Sequence, residues 1–216
     1  MGIAVSEEIP IVGETDDYVL AWKEANLPTT RTEAHPDCLI THLIRKRPDL
    51  SGVVGYSPDE FGLLNRLDNR TVGVVMIAKT QDAFERLSRQ FHHEQWTKLY
   101  LAYCYNLGNQ DKGIIDIPIA HHSRKAKKMV LVQNNTPYRG KPQPCTTRFE
   151  KISDQQAREL WTFYTDDITG FPIFPVDDKS FSWVFCKITS GKRHQIRLHL
   201  RSVDIRFWEI LCISRL

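Results

Sequence analysis

The chain has 216 residues, and 41% of them are hydrophobic, which is enough to bury one substantial core. Its 29 lysines and arginines exceed its 26 acidic residues by only three, so any binding of a polyanion must come from local basic clusters rather than from a strong global field. Five scattered cysteines without a Cys-x-x-Cys pair argue against a disulfide framework and a zinc site; with no secretion signal or long apolar run evident, we expect a cytoplasmic protein.

The first half of the chain predicts strands and helices on either side of a polar turn. We expect an N-terminal arm over residues 1–10 and one catalytic domain over residues 11–216. In order, the expected elements are a strand at 17–22, a helix at 39–47, an irregular connection at 48–60, a strand at 72–78 and a helix ending near residue 92. Thr80 is a favourable N-cap for the last of these, with Phe84, Leu87 and Phe91 on one face.

The second half is dominated by short strands. An aromatic-rich strand is expected at 96–105, and further strands at 114–119, 129–133, 146–152, 160–165 and 181–189. A glycine turn at Gly191 then leads into a helix that carries Arg193, Arg197 and Arg201 at spacings of four. Because strands outnumber helices, the pattern predicts the α+β class, with a mixed, mainly antiparallel sheet and flanking helices.

The polar turn at 65–73 carries one carboxylate, Asp68, between Arg66 and Arg70, directly before the apolar strand. A carboxylate on a loop held by a rigid strand is a common place for chemistry, and one of the later arginines could pair with it. Taken alone, Asp68 is more often a turn residue that bonds its own backbone, and the two arginines could be solvated charges.

Other polar groups give weaker signals. The adjacent pairs His92-His93 and His121-His122 do not converge as metal ligands must, so we expect no metal. The usual glycine-rich nucleotide motifs and the serine-hydrolase motif are missing, and we expect no cofactor. Tyr100 is by default a core aromatic, and the basic cluster at 124–128 a solvated turn.

Five motifs occur in a fixed order: Arg66-Leu67-Asp68, Thr71-Val72-Gly73, Ala78-Lys79-Thr80, Lys98-Leu99-Tyr100, and Gly-Lys-Arg-His-Gln-Ile-Arg-Leu-His-Leu at 191–200. Together they closely resemble the RluA-type pseudouridine synthase family. Weaker similarity at 17–28 and 113–119 extends the resemblance over most of residues 11–200.

The resemblance implies the pseudouridine synthase catalytic fold and isomerisation of a uridine in structured RNA, either tRNA or rRNA, without metal, cofactor or membrane. It implies that Asp68 is the essential carboxylate, that Tyr100 packs on the target base, and that Arg197 pairs with Asp68 to keep it ionised. Arg66 matches the position beside the flipped nucleotide. The remaining residues expected to bind RNA are Arg70, Lys98, Arg124, Lys127, Lys128, Arg193 and His194.

The chain also departs from the family pattern. Asn65 stands where the family usually has histidine, Val72 replaces serine, Lys192-Arg193 replaces Arg-Thr, and Glu24 and Asn26 replace a proline and a glycine. From residue 201 the sequence is divergent, which suggests a truncated core whose apolar surface would be covered by Phe207, Trp208, Ile210, Leu211 and Ile213, or by another chain. The alternative to an enzyme is therefore a catalytically impaired RNA-binding or chaperone protein; the sequence does not define the oligomeric state, and a monomer is the default.

Overall fold

The structure is a computed structural model, and it describes residues 9–33, 36–105, 110–126, 128–165, 170–172 and 181–213. The chain divides into an N-terminal unit, residues 1–96 with 215–216, and a C-terminal unit, residues 97–214. Within the described ranges, no helix combines the length and the apolar character needed to cross a membrane.

The N-terminal unit contains three antiparallel strands in the order β1-β2-β3. Its elements are β1 (Ile11–Glu14), β2 (Tyr18–Lys23), α1 (Leu39–Lys46), two short 3-10 helices (Pro48–Gly52 and Pro58–Glu60), β3 (Val72–Ala78) and α2 (Gln81–His92). The predicted strands at 17–22 and 72–78 and both predicted helices are confirmed. β1 was not predicted.

The start of α2 follows from local chemistry. The Thr80 hydroxyl accepts a hydrogen bond from the Ala83 backbone N–H at 3.1 Å, which satisfies one of the free donors at the helix end. Ala83, Phe84 and Leu87 are buried at helical spacing. The helix therefore begins at the residue after its predicted cap.

The C-terminal unit contains two antiparallel sheets. Five strands follow the order β11-β4-β10-β9-β5, and three form a smaller sheet in the order β7-β6-β8. The elements are β4 (Lys98–Tyr105), β5 (Lys112–Asp116), β6 (Ile119–His122), β7 (Met129–Leu131), β8 (Tyr138–Gln143), β9 (Thr146–Ile152), α3 (Asp154–Thr165), β10 (Phe181–Ile188), α4 (Gln195–Ser202) and β11 (Arg206–Cys212). The predicted α+β class with a mainly antiparallel sheet is confirmed.

The strand predicted at 160–165 is wrong, because these residues form the second half of α3. Ser153 and Gln156 cap the start of this helix reciprocally: Ser153 N–H donates to Gln156 Oε1 at 2.9 Å, and Gln156 N–H donates to Ser153 Oγ at 3.2 Å. Ala157, Trp161 and Thr165 are then buried at helical spacing. The local run of aromatic and β-branched residues favoured a strand, but the upstream cap and the four-residue period determine the outcome.

The segment after residue 200 forms a strand that was not predicted. β11 pairs antiparallel with β4, and Ile210, Leu211 and Ile213 are buried. Trp208, at a bulge in this pairing, remains 57% exposed. The divergent segment therefore returns to the sheet and buries three of the five apolar residues expected to cover a core surface.

The strand predicted at 114–119 is divided in two. β5 ends at Asp116 and β6 begins at Ile119, with Ile117 and Pro118 between them. Proline has no N–H to donate to a ladder, which explains the break. β8 was also missed, since Tyr-Arg-Gly-Lys-Pro-Gln has no apolar alternation.

Candidate active site

Asp68 lies on a turn whose backbone is fixed on both sides. The buried Thr29 hydroxyl donates to the Leu67 carbonyl at 2.9 Å and accepts from the Leu67 N–H at 3.2 Å. The Asp68 carbonyl accepts from the Thr71 N–H at 2.9 Å. The half-buried Asp68 side chain therefore projects from a turn whose backbone is held by these three hydrogen bonds.

A fully buried lysine supports the same turn. Lys23, at the end of β2, donates through Nζ to the carbonyls of Glu24 at 2.9 Å and of Asn69 at 3.0 Å. The Asn26 N–H also donates to the Asn69 carbonyl, at 2.9 Å. A buried ammonium is costly without such partners, so Lys23 ties the residue after Asp68 to the first sheet. Sequence reasoning missed this role, although a lysine ending an apolar strand was its visible signal.

Two departures from the family pattern have physical explanations in this unit. Asn26 has φ 63°, in the left-handed region, which asparagine tolerates better than most residues and glycine adopts freely. Asn65 donates through Nδ2 to the Val74 carbonyl at 3.3 Å and accepts at Oδ1 from the Met76 N–H at 2.8 Å. Its amide thus joins the start of the turn to β3.

The arginines on either side of Asp68 lie at the surface. Arg66 and Arg70 are exposed, and Arg66 Nη1 lies 3.2 Å from Glu60 Oε1. In this ion pair the Arg66 side chain is 66% exposed and the Glu60 side chain 13% exposed, so solvent screening on the arginine side limits its contribution to stability.

Tyr100 lies on β4 in the C-terminal unit and is 9% exposed. Its register partners on either side are Cys186 of β10 and Cys212 of β11, so the three side chains share one face of the sheet. Burial raises the pKa of the Cys186 thiol, which stays neutral. Both register partners of Tyr100 are therefore buried cysteines.

The start of α4 is held by Gln195. The Gln195 side chain is buried and accepts at Oε1 from the Ser190 hydroxyl at 3.0 Å and from the Lys192 N–H at 3.1 Å. Its Nε2 donates to the Thr146 carbonyl at 3.0 Å. One amide group thus connects the glycine turn before α4 to β9, because its oxygen accepts hydrogen bonds from the turn and its nitrogen donates one to the strand.

His199 fixes the other end of α4. The buried imidazole donates from Nε2 to the Ile117 carbonyl at 2.9 Å, and its Nδ1 lies 2.8 Å from Thr147 Oγ1. The carbonyl can only accept, so Nε2 carries the proton and Nδ1 accepts from the hydroxyl. Burial lowers the pKa of His199, which keeps it neutral and preserves this tautomer.

These contacts place α4 on the face of the sheet that carries Tyr100. Thr147 shares a face with Phe149, which pairs with Cys186, the register partner of Tyr100. The half-buried Arg197 has its guanidinium carbon 4.8 Å from the centre of the Phe207 ring, in a cation–π contact. Tyr100 and Arg197 thus belong to one face of the C-terminal unit, whereas Asp68 belongs to the N-terminal unit.

The remaining predicted RNA-binding residues differ in exposure. Lys98 is half-buried, and a Cβ at Gly191 would lie 2.8 Å from its Nζ, so glycine leaves room for the ammonium beside the turn. His194 is half-buried and has φ 57° at the N-cap of α4. Arg193, Arg124 and Lys128 are exposed, and Lys127 lies outside the described residues.

The two pairs of adjacent histidines lie at the end of β6 and at the end of α2. His122 Nδ1 accepts from the backbone N–H groups of Arg124 and Lys125 at 3.1 and 3.3 Å, which closes the turn after β6. His92 and His93 are exposed at the end of α2. In the ranges that the structure describes, no three His, Cys, Asp or Glu side chains come together as a metal site would require.

The profile of the RNA pseudouridylate synthase family matches residues 17–202. The chain is 28% identical over 207 residues to ribosomal large subunit pseudouridine synthase D of Nitrosomonas europaea, covering 92% of this chain and 48% of the relative. It is 25% identical over 202 residues to an uncharacterized RNA pseudouridine synthase of Synechocystis, covering 92% of this chain and 53% of the relative. The chain thus spans about half the length of these curated relatives.

The fold is similar to that of human RNA pseudouridylate synthase domain containing 1, with a TM-score of 0.68 at 18% sequence identity. This likeness covers 98% of the present chain and 79% of the human chain. At this identity it bears on the fold alone.

Proposed function

The chain belongs to the RNA pseudouridylate synthase family, and we propose that it isomerises a specific uridine in structured RNA to pseudouridine. The observation that carries the proposal is the family match over residues 17–202, within which the five motifs stand in the family's order. Asp68, Tyr100 and Arg197 all lie inside this span.

The reaction is redox-neutral. The bond between uracil N1 and the ribose breaks, a bond from uracil C5 to the same ribose carbon forms, the C5 proton leaves to solvent, and N1 takes up a proton. A carboxylate near the anomeric carbon can stabilise or trap the positive character that develops there, as in glycosidases, and we assign this role to Asp68. The rigid backbone around Asp68, held by Thr29 and Lys23, supports this assignment because a reacting carboxylate must be positioned accurately.

The other two catalytic residues are assigned as follows. Tyr100 packs on the target base and is a candidate proton acceptor. Arg197 keeps the carboxylate of Asp68 ionised, which desolvation would otherwise oppose. The buried position of Tyr100 between two cysteines supports its role, since an unstacked base is read in a pocket by stacking on aromatic or apolar side chains.

RNA binding is assigned to cationic and polar side chains outside this group. Arg66 is assigned the position beside the flipped nucleotide, and its side chain, which is 66% exposed, is accessible to RNA. Phosphate contacts are assigned to Arg70, Lys98, Arg124, Lys127, Lys128, Arg193 and His194. The substrate is rRNA or tRNA; the Nitrosomonas relative is named for the large ribosomal subunit. All five cysteines are free thiols, which supports a cytoplasmic location.

The direct test is release of tritium from RNA containing uridine labelled at C5. The unaltered protein should release label, and Asp68→Asn should release none while retaining RNA affinity within about twofold. Asp59→Asn, an exposed carboxylate in the same unit, is the matched control and should release label at the rate of the unaltered protein. Tight RNA binding without release by any of the three proteins would identify a binding protein and refute the proposal.

A further inference from the structure

The charges of the C-terminal unit are strongly segregated. Residues 117–149 contain seven lysines and arginines and no aspartate or glutamate. Because the whole chain carries a net charge of +3 and these 33 residues contribute +7, the rest of the chain carries −4. A positive region this concentrated in an otherwise acidic chain is complementary to a polyanion.

Five of these seven cations, Arg124, Lys125, Lys128, Arg139 and Lys141, lie on one structural element, which we name the basic sheet: β6, β7, β8 and the connecting residues 123–126 and 128. Arg139 and Lys141 project from β8, an edge strand of this sheet, and both are exposed. Arg139 Nη2 donates to the Ala126 carbonyl at 3.4 Å, which brings β8 beside the connection carrying Arg124 and Lys128. The cations of the two segments therefore form one surface.

The basic sheet packs on the rest of the C-terminal unit through buried apolar side chains. Ile119 of β6 and Met129 of β7 form a buried cluster with Cys145, and Leu131 and Leu198 pack against it. Leu198 is the residue after Arg197 on α4. The basic sheet thus has a fixed position relative to the helix that carries a proposed catalytic residue.

The composition of the surface indicates which nucleic-acid form it binds. Proteins that hold single strands stack bases on several aromatic side chains, whereas the helical form is held mainly through its phosphates. Among Phe, Tyr and Trp, residues 117–149 contain only Tyr138, which is 43% exposed, and Phe149, which is buried. One exposed aromatic residue does not make a platform of several rings, so the composition favours a duplex backbone over a single strand.

We propose that the basic sheet binds the phosphate backbone of a double-helical RNA stem, as a contact separate from the residues that hold the uridine. This rests on the proposed function for the identity of the polyanion. Arg139 and Lys141, which the sequence motifs did not single out, are the residues that test it.

The experiment measures the affinity of Arg139→Gln/Lys141→Gln for a stem-loop RNA with uridine in the loop, and for an unpaired RNA of the same length, between about 50 and 200 mM salt. Each lost phosphate contact reduces the slope of log affinity against log salt by about one, so the stem-loop slope should fall by about two. Over this range the salt-induced loss of affinity should be about tenfold smaller than for the unaltered protein. The slope for unpaired RNA should not change.

The matched control is Lys112→Gln/Lys187→Gln, which removes two exposed cations from the same unit outside the basic sheet. It should leave the stem-loop slope unchanged, and Lys141→Gln alone should give about half the change. Equal stem-loop slopes for the unaltered protein and Arg139→Gln/Lys141→Gln, or an equal change with unpaired RNA, would overturn the inference. Failure of tritium release with the slope change intact would reject the proposed reaction but not this binding surface.

Discussion

Gln195 shows how a single buried amide can hold the start of a helix. Its side chain bonds the Ser190 hydroxyl, the Lys192 N–H and the Thr146 carbonyl, so it joins the turn before α4 to β9. Removing it leaves several polar groups buried without a partner, and each such group costs about 1–3 kcal/mol. The placement of Arg197, two residues later, depends on this junction.

We therefore predict that Gln195→Leu lowers the free energy of unfolding by about 3 kcal/mol, measured by urea denaturation. Ser190→Ala, which removes one of the same hydrogen bonds, should cost about 1 kcal/mol. Equal stability of Gln195→Leu and the unaltered protein would contradict the account of the junction.

His199 makes stability depend on pH in a defined direction. Burial lowers its pKa from the ordinary value of 6.5, so the unfolded chain binds the proton more readily than the folded chain. The stabilisation from neutral His199 is complete above pH 6.5 and is lost as the pH falls through 6.5 toward the folded pKa. Protonation would also place a second proton on Nδ1, facing the Thr147 hydroxyl.

We predict that the free energy of unfolding decreases between about pH 8 and about pH 5.5, and that His199→Gln shows a smaller decrease although it is less stable overall. His93→Gln, an exposed histidine, should keep the pH dependence of the unaltered protein. If the free energy of unfolding changed equally with pH in His199→Gln and His93→Gln, a group other than His199 would control stability in this pH range.

The sequence predicted a turn at Asp68, a strand at Tyr100 and a helix at Arg197, and the structure contains each of these elements at these residues. It did not identify the residues that support them, because their partners are remote in the chain. Lys23 contacts Asn69 across 46 residues, Thr29 contacts Leu67 across 38, and His199 contacts Thr147 across 52. Periodicity and motif spacing report local order and cannot specify such pairs.

At the scale of elements, amphipathic periodicity and capping were the reliable signals. α1 and α2 were predicted because their apolar residues recur at helical spacing, and β3 because an apolar run follows a turn. β8 was missed because an edge strand exposed on both faces has no alternation to detect. α3 was misread because the aromatic residues at its end were considered without the cap at Ser153.

β1 is an element held to its unit by charge as well as by strand pairing. Arg47 binds both oxygens of Glu14 at 3.0 Å, and Lys79 Nζ lies 2.8 Å from Glu14 Oε1. The hydrogen bond from Arg47, followed by that from Lys79, lowers the pKa of Glu14 from 4.5 to about 2. One carboxylate thus joins β1 to the residue after α1 and to the residue after β3.

We predict that Glu14→Gln destabilises the protein by about 1 kcal/mol at neutral pH, a modest value because the Glu14 side chain is 35% exposed. This stabilisation is fully present above pH 4.5 and is lost as the pH falls toward 2, so the two proteins should converge in acid. Urea denaturation as a function of pH measures both effects. Glu33→Gln, which changes an exposed carboxylate of the same unit, should leave the free energy of unfolding unchanged. If Glu33→Gln destabilised the protein as much as Glu14→Gln, the ion pairs of Glu14 would not explain the effect.

For the molecule as a whole, the local concentration of positive charge affects polyanion binding more than the net charge does. A net charge of +3 gives little long-range attraction, while the +7 of residues 117–149 is available to any polyanion that reaches it. Binding should therefore depend on short-range phosphate contacts that release counterions, and such contacts weaken steeply with salt. The proposed chemical step follows RNA binding and does not itself change the number of phosphate contacts.

We predict that raising the salt concentration from about 50 to about 200 mM increases KM for a stem-loop RNA by tenfold or more and changes kcat less than twofold. The reason is that counterion release accompanies the binding of RNA, whereas the proposed chemical step in the bound complex makes and breaks no phosphate contacts. Steady-state tritium release at several RNA concentrations separates the two constants, and the same series on Arg139→Gln/Lys141→Gln should show a flatter rise in KM with kcat unchanged. A parallel fall of kcat with salt would contradict the separation of phosphate binding from the chemical step.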